Sequence, residues 1–364
     1  HTLMQRAGLA VARLALAIAP HAQRIWIACG PGNNGGDGLE AAVHLQRWGK
    51  SVCVTWLGQP DSAPPDAAAA YQRFLAAGLT LAEEPDADAD LCIDALLGAS
   101  LQLREPQLRL AQWIARLNAS HALVLAVDNP SGLNTSTGAA TALHVRATHT
   151  VSLLTLKPGL FTAQGRDASG SIWFDDLGVK ADRLPTAPPA TARLAGAPLP
   201  RQRLHASHKG SYGDVAVIGG AAGMTGAALL AGQAALHAGT GRVFVGLLSP
   251  HAAPIGGVPP ELMFRDVAAL DLSDQTVVCG CGGGAAVRGV LSRVLRNARA
   301  LVLDADGLNA LAADSKLQAA WSARSPSSAA TVLTPHPLEA ARLLGCSAAE
   351  VQLDRVQAAR RLSE

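Results

Sequence analysis

The stretch that decides the fold is Ile25-Trp-Ile-Ala-Cys29, followed directly by Gly30-Pro-Gly-Asn-Asn-Gly-Gly-Asp-Gly38. Five consecutive apolar residues match a buried strand, and the glycines after them allow a sharp turn. Apolar residues at helical spacing over 38–48 then predict a helix. Strand, glycine turn and helix form the first unit of an α/β fold, and the start of such a helix can bind a phosphate through its free N–H groups.

The same alternation continues along the chain. It predicts two α/β domains in tandem, each with a parallel sheet. A stretch rich in Pro and Ala over 181–200 has no periodic pattern and predicts the boundary. We therefore expect a first domain over 1–180, a linker over 181–203 and a second domain over 204–364. The predicted strands are 25–29, 52–57, 91–95, 123–127, 150–154, 214–218, 242–248, 276–279, 300–304 and 329–333, and helices are predicted at 38–48, 107–117 and 225–238.

Composition excludes several classes of protein. A length of 364 residues predicts about two domains at roughly 150 residues each. The balance of 30 basic and 28 acidic residues argues against a nucleic-acid or anionic-membrane partner. The longest apolar runs, 14–19 and 122–127, are far shorter than the roughly 18 residues of a membrane span. Six cysteines without a CxxC pair favour buried thiols in a reducing cytoplasm over a zinc or disulfide framework.

Taken literally, Gly30, Gly32 and Gly35 satisfy the GxGxxG pattern. A dinucleotide fingerprint also requires an acidic residue near the end of the second strand, where this chain has Trp56-Leu57-Gly58. An ordinary nicotinamide dehydrogenase is therefore disfavoured. No GK[ST] follows the glycines, which excludes a Walker loop, and a purely structural tight turn stays open.

Polar side chains inside and beside this turn are candidates for ligand binding or catalysis. The run 33–37 places Asn and Asp residues in the turn, while Asp94 and Asp128 stand at the ends of two other predicted strands. Because the carboxyl ends of parallel strands share one edge, we expect Asn34, Asp94, Asp128 and Ser131 to converge. Oxygen donors of this kind suit an alkali or alkaline-earth cation, and a carboxylate among them can bind hydroxyls or move protons. The alternative is that the two aspartates only cap local turns.

Four motifs carry a resemblance to a known family. In order and spacing they are Gly30 to Gly38, Asp94-Ala-Leu-Leu-Gly98, Asp128-Asn-Pro-Ser-Gly-Leu-Asn-Thr-Ser-Thr-Gly138 and Thr155-Leu-Lys-Pro-Gly159. Over roughly 1–180 the chain resembles the NAD(P)HX epimerases, which interconvert the R and S epimers of hydrated nicotinamide cofactors. The resemblance implies a Rossmann-like three-layer domain.

The resemblance also implies roles for individual residues. Potassium would be held by Asn34, Asp94 and Ser131, and Asp128 would assist loss and return of the ring hydroxyl. For Lys157, a contact with a phosphate and a surface or packing position before Pro158 both stay open. The residues implied to contact the substrate are Asn33, Asn34, Gly35, Gly36, Asp37, Gly98, Ala99, Ser100, Leu101, Gln102, Leu103, Arg104 and Asp128.

The second half resembles another family. Its motifs are His208-Lys-Gly-Ser-Tyr-Gly-Asp-Val-Ala-Val-Ile-Gly-Gly220, Gly223-Met-Thr-Gly226, Gly280-Cys-Gly-Gly-Gly284, Leu303-Asp-Ala-Asp306 and Leu333-Thr-Pro-His336-Pro-Leu-Glu339. They resemble the ADP-dependent NAD(P)HX dehydratases, ribokinase-like domains fused behind the epimerase in bacterial bifunctional enzymes. The resemblance implies ADP or ATP and Mg²⁺ as cofactors. The residues implied to contact the substrate are Ala227, Gly284, Thr334, Pro335, His336, Pro337 and Glu339.

Dehydratase chains continue into a Lys-Gly nucleotide loop and a Gly-Thr-Gly-Asp segment, which this sequence does not reach before Glu364. We therefore expect either a longer natural chain or an inactive second domain, and a natural start upstream of His1. The leading hypothesis is a cytoplasmic, homo-oligomeric cofactor-repair enzyme with epimerase and dehydratase domains that binds NAD(P)HX and ADP. The alternative is a non-catalytic nucleotide-binding scaffold with an epimerase-like domain.

Overall fold

The computed structural model describes residues 2–98, 108–179, 190–197, 202–249, 258–324 and 330–364. The chain forms two compact units. The first comprises His1–Leu194 and Gln352–Gln357, and the second comprises Ala195–Val351 and Ala358–Glu364. Each unit contains a parallel sheet with helices packed on it, which confirms the predicted fold class of two α/β domains.

The first unit follows the predicted order of strands and helices. Its strands are β1 (Arg24–Cys29), β2 (Ser51–Trp56), β3 (Leu91–Ala95), β4 (Leu123–Val127), β5 (His149–Leu153) and β6 (Ser171–Asp175). Its helices are α1 (Thr2–Ile18), α2 (Asn33–Arg47), α3 (Pro65–Ala76), α4 (Leu108–Ala119) and the single turn α5 (Gly165–Ala168). The helices α1 and α3 and the strand β6 were not predicted from the sequence.

The strands of this unit lie in the order β2-β1-β3-β4-β5-β6, and each neighbouring pair is parallel. Successive strand residues point to opposite faces of a sheet. Ile25 and Ile27 therefore pack with α1, α2 and α3 on one face, while Trp26 and Ala28 pack with α4 on the other. The result is a three-layer unit in which β1, β3 and β4 end side by side at one edge.

The second unit repeats this architecture. Its strands are β7 (Asp214–Gly219), β8 (Arg242–Leu247), β9 (Leu262–Phe264), β10 (Thr276–Cys279), β11 (Ala300–Leu303) and β12 (Ala330–Leu333). The helices of the second half of the chain are α6 (Thr225–His237), α7 (Val287–Asn297), α8 (Asp306–Ala313), α9 (Ser315–Ser322), α10 (Pro337–Leu344), α11 (Ala348–Leu353) and α12 (Arg355–Ser363). The parallel strand order is β12-β11-β10-β7-β8-β9.

One boundary corrects the sequence analysis. The glycine-rich run was expected to be a turn before a helix that begins near residue 38, but α2 already begins at Asn33. A Cβ on Gly36 would lie 2.7 Å from Met4 Sδ, and one on Gly38 would lie 2.7 Å from Cys29 Sγ. These glycines are helical residues that let α2 pack closely against its neighbours. Among the described residues, no helix is long and apolar enough to cross a membrane.

Candidate functional site

The turn from β1 into α2 brings backbone into close contact. A Cβ on Gly30 would lie 1.6 Å from the Leu96 carbonyl oxygen, and one on Gly35 would lie 1.9 Å from the Gly30 carbonyl oxygen. Gly32 precedes α2 and supplies no side chain to cap its first turn. The first N–H groups of this fifteen-residue helix therefore provide a binding surface for an anion at the sheet edge.

A buried network surrounds Asp94, which is fully buried near the end of β3. Its carboxylate accepts the Ser131 hydroxyl at 2.6 Å, the Ser131 N–H at 2.8 Å and the Leu96 N–H at 3.2 Å. The Ser131 oxygen in turn accepts the Leu97 N–H at 2.8 Å. Burial raises the pKa of Asp94 to about 6, while the bonds from Ser131 and Leu96 counteract that rise.

Asn34 lies beside this network. A Cβ on Gly98 would lie 3.6 Å from Asn34 Oδ1, and Gly98 directly follows Leu97. The buried Asn34 Nδ2 has no hydrogen-bond partner among the described residues. Rotation of the amide by 180° would place an oxygen at this position. Of the predicted substrate turn, only Gly98 can be located, because Ala99 to Arg104 lie outside the described residues.

Asp128 directly follows β4 and is held by the segment after β5. The Asp128 Oδ1 atom accepts the Leu153 N–H at 3.0 Å and forms an ion pair with Lys157 Nζ. Lys157 Nζ also donates to the Leu153 carbonyl at 2.7 Å. For Lys157 the sequence left open a phosphate contact and a surface or packing position. The structure does not show a lysine that is merely on the surface or packed, since its side chain is ion-paired. Instead, the lysine is the partner of Asp128.

Asp37 lies in α2 and provides a second carboxyl group near Asp128. Burial raises the pKa of Asp37 well above its usual value, and the negative charges of Asp128 and Glu40 raise it further. Asp128 itself is neutralised by Lys157. The site therefore holds two carboxyl groups in contrasting environments, an arrangement typical of paired proton donors and acceptors.

The second unit also gathers its predicted residues at the carboxyl edge of the sheet. A Cβ on Gly282 would lie 2.9 Å from Ala227 Cβ, and one on Gly284 would lie 3.1 Å from Met224 Cε. Gly280, Gly282 and Gly284 all have positive φ, at 113°, 59° and 52°. The glycine segment after β10 thus lies against the start of α6, with a backbone path that favours glycine.

Two aspartates that sequence reasoning did not assign connect this segment to the predicted turn before α10. Asp304 Oδ1 accepts the Thr334 hydroxyl at 2.8 Å, and Asp306 Oδ2 accepts the Gly284 N–H at 2.8 Å. Ala305 between them has a φ of 49°, which is strained for a residue with a Cβ. Burial and the nearby Asp304 raise the pKa of Cys281 to about 11, so its thiol stays neutral. The Leu303-Asp-Ala-Asp306 motif was the signal that could have identified both aspartates.

His336 and Glu339 form the start of α10. His336 Nδ1 accepts the Leu338 and Glu339 N–H groups at 3.1 and 3.3 Å, and the Glu339 carboxylate accepts the His336 N–H at 3.0 Å. Glu339 is buried, whereas the His336 side chain is 57% exposed. Pro337 occupies the first helical turn. Glu339 Oε1 also lies 3.1 Å from His336 Nε2. Glu339 therefore stabilises the turn and holds the imidazole in place on the surface.

Both halves of the chain match known protein families. Residues 1–159 match the family described as YjeF-related protein N-terminus, and residues 215–364 match the family described as NAD(P)H-hydrate dehydratase. The chain is 36% identical over 376 residues to the bifunctional NAD(P)H-hydrate repair enzyme Nnr of Escherichia coli (strain K12), covering 100% of this chain and 70% of that protein. The chain belongs to the bifunctional NAD(P)H-hydrate repair enzyme family. Both resemblances predicted from the motifs are thereby confirmed.

A second relative of this repair enzyme family is Nnr of Coxiella burnetii, 38% identical over 380 residues with coverage of 100% of this chain and 75% of that protein. Among solved structures, the ADP/ATP-dependent NAD(P)H-hydrate dehydratase from Bacillus subtilis, co-crystallized with ATP/Mg²⁺, is 30% identical. That match covers 44% of this chain and 58% of the other, with a TM-score of 0.35.

The oxygen-rich part of the first site fits potassium. Among the described residues, no group of three or more His, Cys, Asp and Glu side chains could hold a metal ion. Potassium instead accepts neutral amide and hydroxyl oxygens as well as carboxylates, as hard cations do. Asp94 is buried without a cationic partner among the described residues. Asn34, whose Nδ2 atom is buried without a hydrogen-bond partner there, lies beside Gly98. Asn34, Asp94 and Ser131 therefore form a donor set suited to that ion.

Proposed function

We propose that this member of the repair enzyme family restores damaged NADH and NADPH in two steps. The first unit interconverts the R and S epimers of the hydrated cofactors, NAD(P)HX. The second unit dehydrates the S epimer to NAD(P)H at the expense of ADP or ATP. The observation that carries the epimerase proposal is the position of Asp128, held beside Asp37 at the edge where α2 begins.

In the first unit, the pyrophosphate of the substrate binds the N–H groups at the start of α2, within the run Asn33 to Asp37. The hydroxylated ring carbon then lies between Asp37 and Asp128, so that the hydroxyl of one epimer faces Asp37 and that of the other faces Asp128. Asp37, whose raised pKa favours its protonated form, donates a proton to the hydroxyl as the carbon–oxygen bond breaks, so that water leaves. The ring nitrogen stabilises the resulting cation. Water adds to the opposite face and gives its proton to Asp128, and exchange with solvent restores both carboxyl groups.

Asn34, Asp94 and Ser131 would hold potassium next to this site. When bound, the ion supplies a positive charge that offsets the buried carboxylate. The chain's own contribution is to fix the oxygen atoms, since Ser131 bonds to both carboxylate oxygens of Asp94. These bonds hold the potassium ligands in place. The ion takes no part in the proposed proton transfers.

In the second unit, we propose that the substrate binds between Ala227, Gly284 and the turn from Thr334 to Glu339. The nucleotide transfers a phosphoryl group to the ring hydroxyl, and loss of phosphate restores the nicotinamide ring. Mg²⁺ would accompany the nucleotide and balance its charge. Asp304 and Asp306 position the binding segments through Thr334 and Gly284.

Three further parts of the proposal concern the whole protein. The epimerase domain spans 1–180, a linker spans 181–203 and the dehydratase domain spans 204–364. We also propose a cytoplasmic location and a homo-oligomeric state. Size-exclusion chromatography with light scattering measures that state directly, and a monomer at micromolar concentration would overturn it.

The experiment that tests the proposed function follows purified R-NADHX and S-NADHX by NMR with and without potassium, and then with ADP and Mg²⁺. We expect the epimers to interconvert, faster with potassium, and the S epimer to be consumed when nucleotide is present. Binding of both epimers without any turnover would favour the non-catalytic scaffold instead. Loss of S epimer without interconversion would refute the epimerase alone.

A further inference from the structure

Two unusual turns stand side by side at the carboxyl ends of β4 and β5. Across Asp128, the Asn129 N–H donates to the Val127 carbonyl at 2.8 Å, and Asp128 has a φ of 67°. Across Leu154, which has a φ of 64°, the Thr155 N–H donates to the Leu153 carbonyl at 2.7 Å. Three-residue turns with positive φ are rare and strained, and strained backbone persists where the surroundings enforce it.

Together these turns direct Asp128 and the segment carrying Lys157 towards each other. Leu153 donates its N–H to Asp128 Oδ1 and accepts Lys157 Nζ at its carbonyl, so the three residues close a ring of bonds. Lys157 completes the ring with its ion pair to the same Oδ1 atom. Among the described residues, the hydrogen bonds to this carboxylate all end on Oδ1.

We propose that Lys157 is a positioning residue that, with the Leu153 N–H, fixes Oδ1 of Asp128 and thereby presents Oδ2 to the ring hydroxyl of the substrate. The inference rests on the proposed epimerase function and adds the atom that exchanges the proton. With Oδ1 occupied by two donors, the carboxylate cannot turn its other oxygen away from the ligand without breaking both bonds. The two strained turns thus hold the Asp128 carboxylate in a single orientation.

The geometry opposes the other role for Lys157, as a phosphate ligand. An ammonium group has three N–H bonds, and two of those on Lys157 already point to Asp128 and Leu153. The side chain is 13% exposed, and a phosphate placed against it would lie next to the Asp128 carboxylate, which repels it. The start of α2 already offers N–H groups to an anion.

The test compares Lys157→Met and Lys157→Arg with wild type in the 364-residue chain. Lys50→Met is the matched control, since Lys50 makes one exposed contact, to the Pro20 carbonyl at 3.4 Å. We measure kcat and KM for epimerisation of R-NADHX by NMR, and the Kd of oxidised NADP⁺ by calorimetry. Lys157→Met should lower kcat about 100-fold, the effect of a misplaced catalytic group, and leave the Kd within about 2-fold. Lys157→Arg, which keeps the charge, should recover part of the lost kcat.

Several results would overturn the inference. A Kd for NADP⁺ that rises tenfold in Lys157→Met at unchanged kcat would make Lys157 a phosphate ligand. Wild-type kcat and KM in Lys157→Met would leave it without a role in the reaction. If Lys157→Met does not fold, Lys157→Arg decides: a reduced kcat supports positioning, and a raised Kd contradicts it. Absence of epimerisation by wild type and Lys50→Met would instead refute the proposed function, and this inference with it.

Discussion

Replacement of Ser131 by alanine tests the buried network that supports the first site. The Ser131 hydroxyl is buried and makes two short hydrogen bonds, besides a long contact of 3.5 Å to the Leu97 carbonyl. It donates to Asp94 Oδ1 at 2.6 Å and accepts the Leu97 N–H at 2.8 Å. Ser131 and Asp94 are fully buried, and Leu97 is nearly so. Ser131→Ala removes both bonds and leaves the backbone bond from Ser131 to Asp94 intact.

The expected loss of stability follows from the two groups that lose a partner, the Leu97 N–H and the Asp94 carboxylate. A buried N–H without an acceptor costs about 1–3 kcal/mol, and a lost hydrogen bond to a carboxylate costs about 1.5–3 kcal/mol. Protonation of Asp94, whose pKa is already raised, limits the second cost. We therefore expect the free energy of unfolding to fall by about 3 kcal/mol. With a urea dependence of about 2 kcal/mol/M, the midpoint of unfolding should fall by about 1.5 M.

Tryptophan fluorescence during urea unfolding at pH 7 is a suitable assay, because most of the signal comes from the first unit. Five of the six tryptophans lie there: Trp26, Trp48, Trp56, Trp113 and Trp173. The control is Ser62→Ala, since the exposed Ser62 hydroxyl makes a single long contact of 3.5 Å to the Gln59 carbonyl. That change should alter stability by less than about 0.5 kcal/mol.

The reasoning fails if Ser131→Ala unfolds within about 0.3 M urea of wild type, a difference of roughly half a kcal/mol. Such a result would mean that the hydroxyl does not hold Asp94 or the Leu97 N–H in solution. A fall in midpoint shared equally by Ser62→Ala would also contradict the account.

Three other predictions concern charge and backbone. The pKa of Asp37 is raised in the folded state, so its contribution to stability is present below the ordinary pKa of 3.8 and is lost as pH rises through the folded pKa. In urea titrations, Asp37→Asn should therefore be more stable than wild type at pH 7.5 and should lose this advantage towards pH 4. Leu154→Gly relieves a φ of 64° and should raise the first unit's free energy of unfolding by about 1 kcal/mol, with unchanged or lower values as the contrary result. Gly280→Ala places a Cβ 2.0 Å from the Asp304 carbonyl oxygen at a φ of 113°, and it should lower the melting temperature in a calorimetric scan by more than about 8 °C. The control Gly289→Ala adds a Cβ in open space on α7 and should raise the melting temperature slightly.

The buried strands were predictable because a short, continuous apolar run between turn residues is typical of a strand in a buried parallel sheet. β6 was missed because it is an edge strand with only three consecutive apolar residues, of which Trp173 and Phe174 are 46% and 52% exposed. β9 has three residues, too few for a periodic signal. The start of α2 was placed five residues late because glycine was taken as a turn residue. At Gly36 and Gly38 its role is close packing, which only the tertiary structure reveals.

The convergence of residues at the sheet edge could be predicted from topology alone. Asp94, Ser131 and Asp128 follow from the rule that parallel strands end at one edge, and the structure places Asp94 and Ser131 in direct contact. The partner of Lys157 could not be predicted, since it depends on two positive-φ turns that have no signature in the residues that adopt them. Asp128 and Leu154 are not glycines, so their conformation is set by their surroundings.

The rate of R to S epimerisation by Asp128→Asn tests the central claim most directly. Asparagine tolerates positive φ and keeps the size of the side chain, so the variant should fold as wild type does and retain its Kd for NADP⁺. We predict that wild type interconverts the epimers and that Asp128→Asn does so at least about 100-fold more slowly, the loss expected for a group that transfers protons. Epimerisation at the wild-type rate by Asp128→Asn would contradict the account.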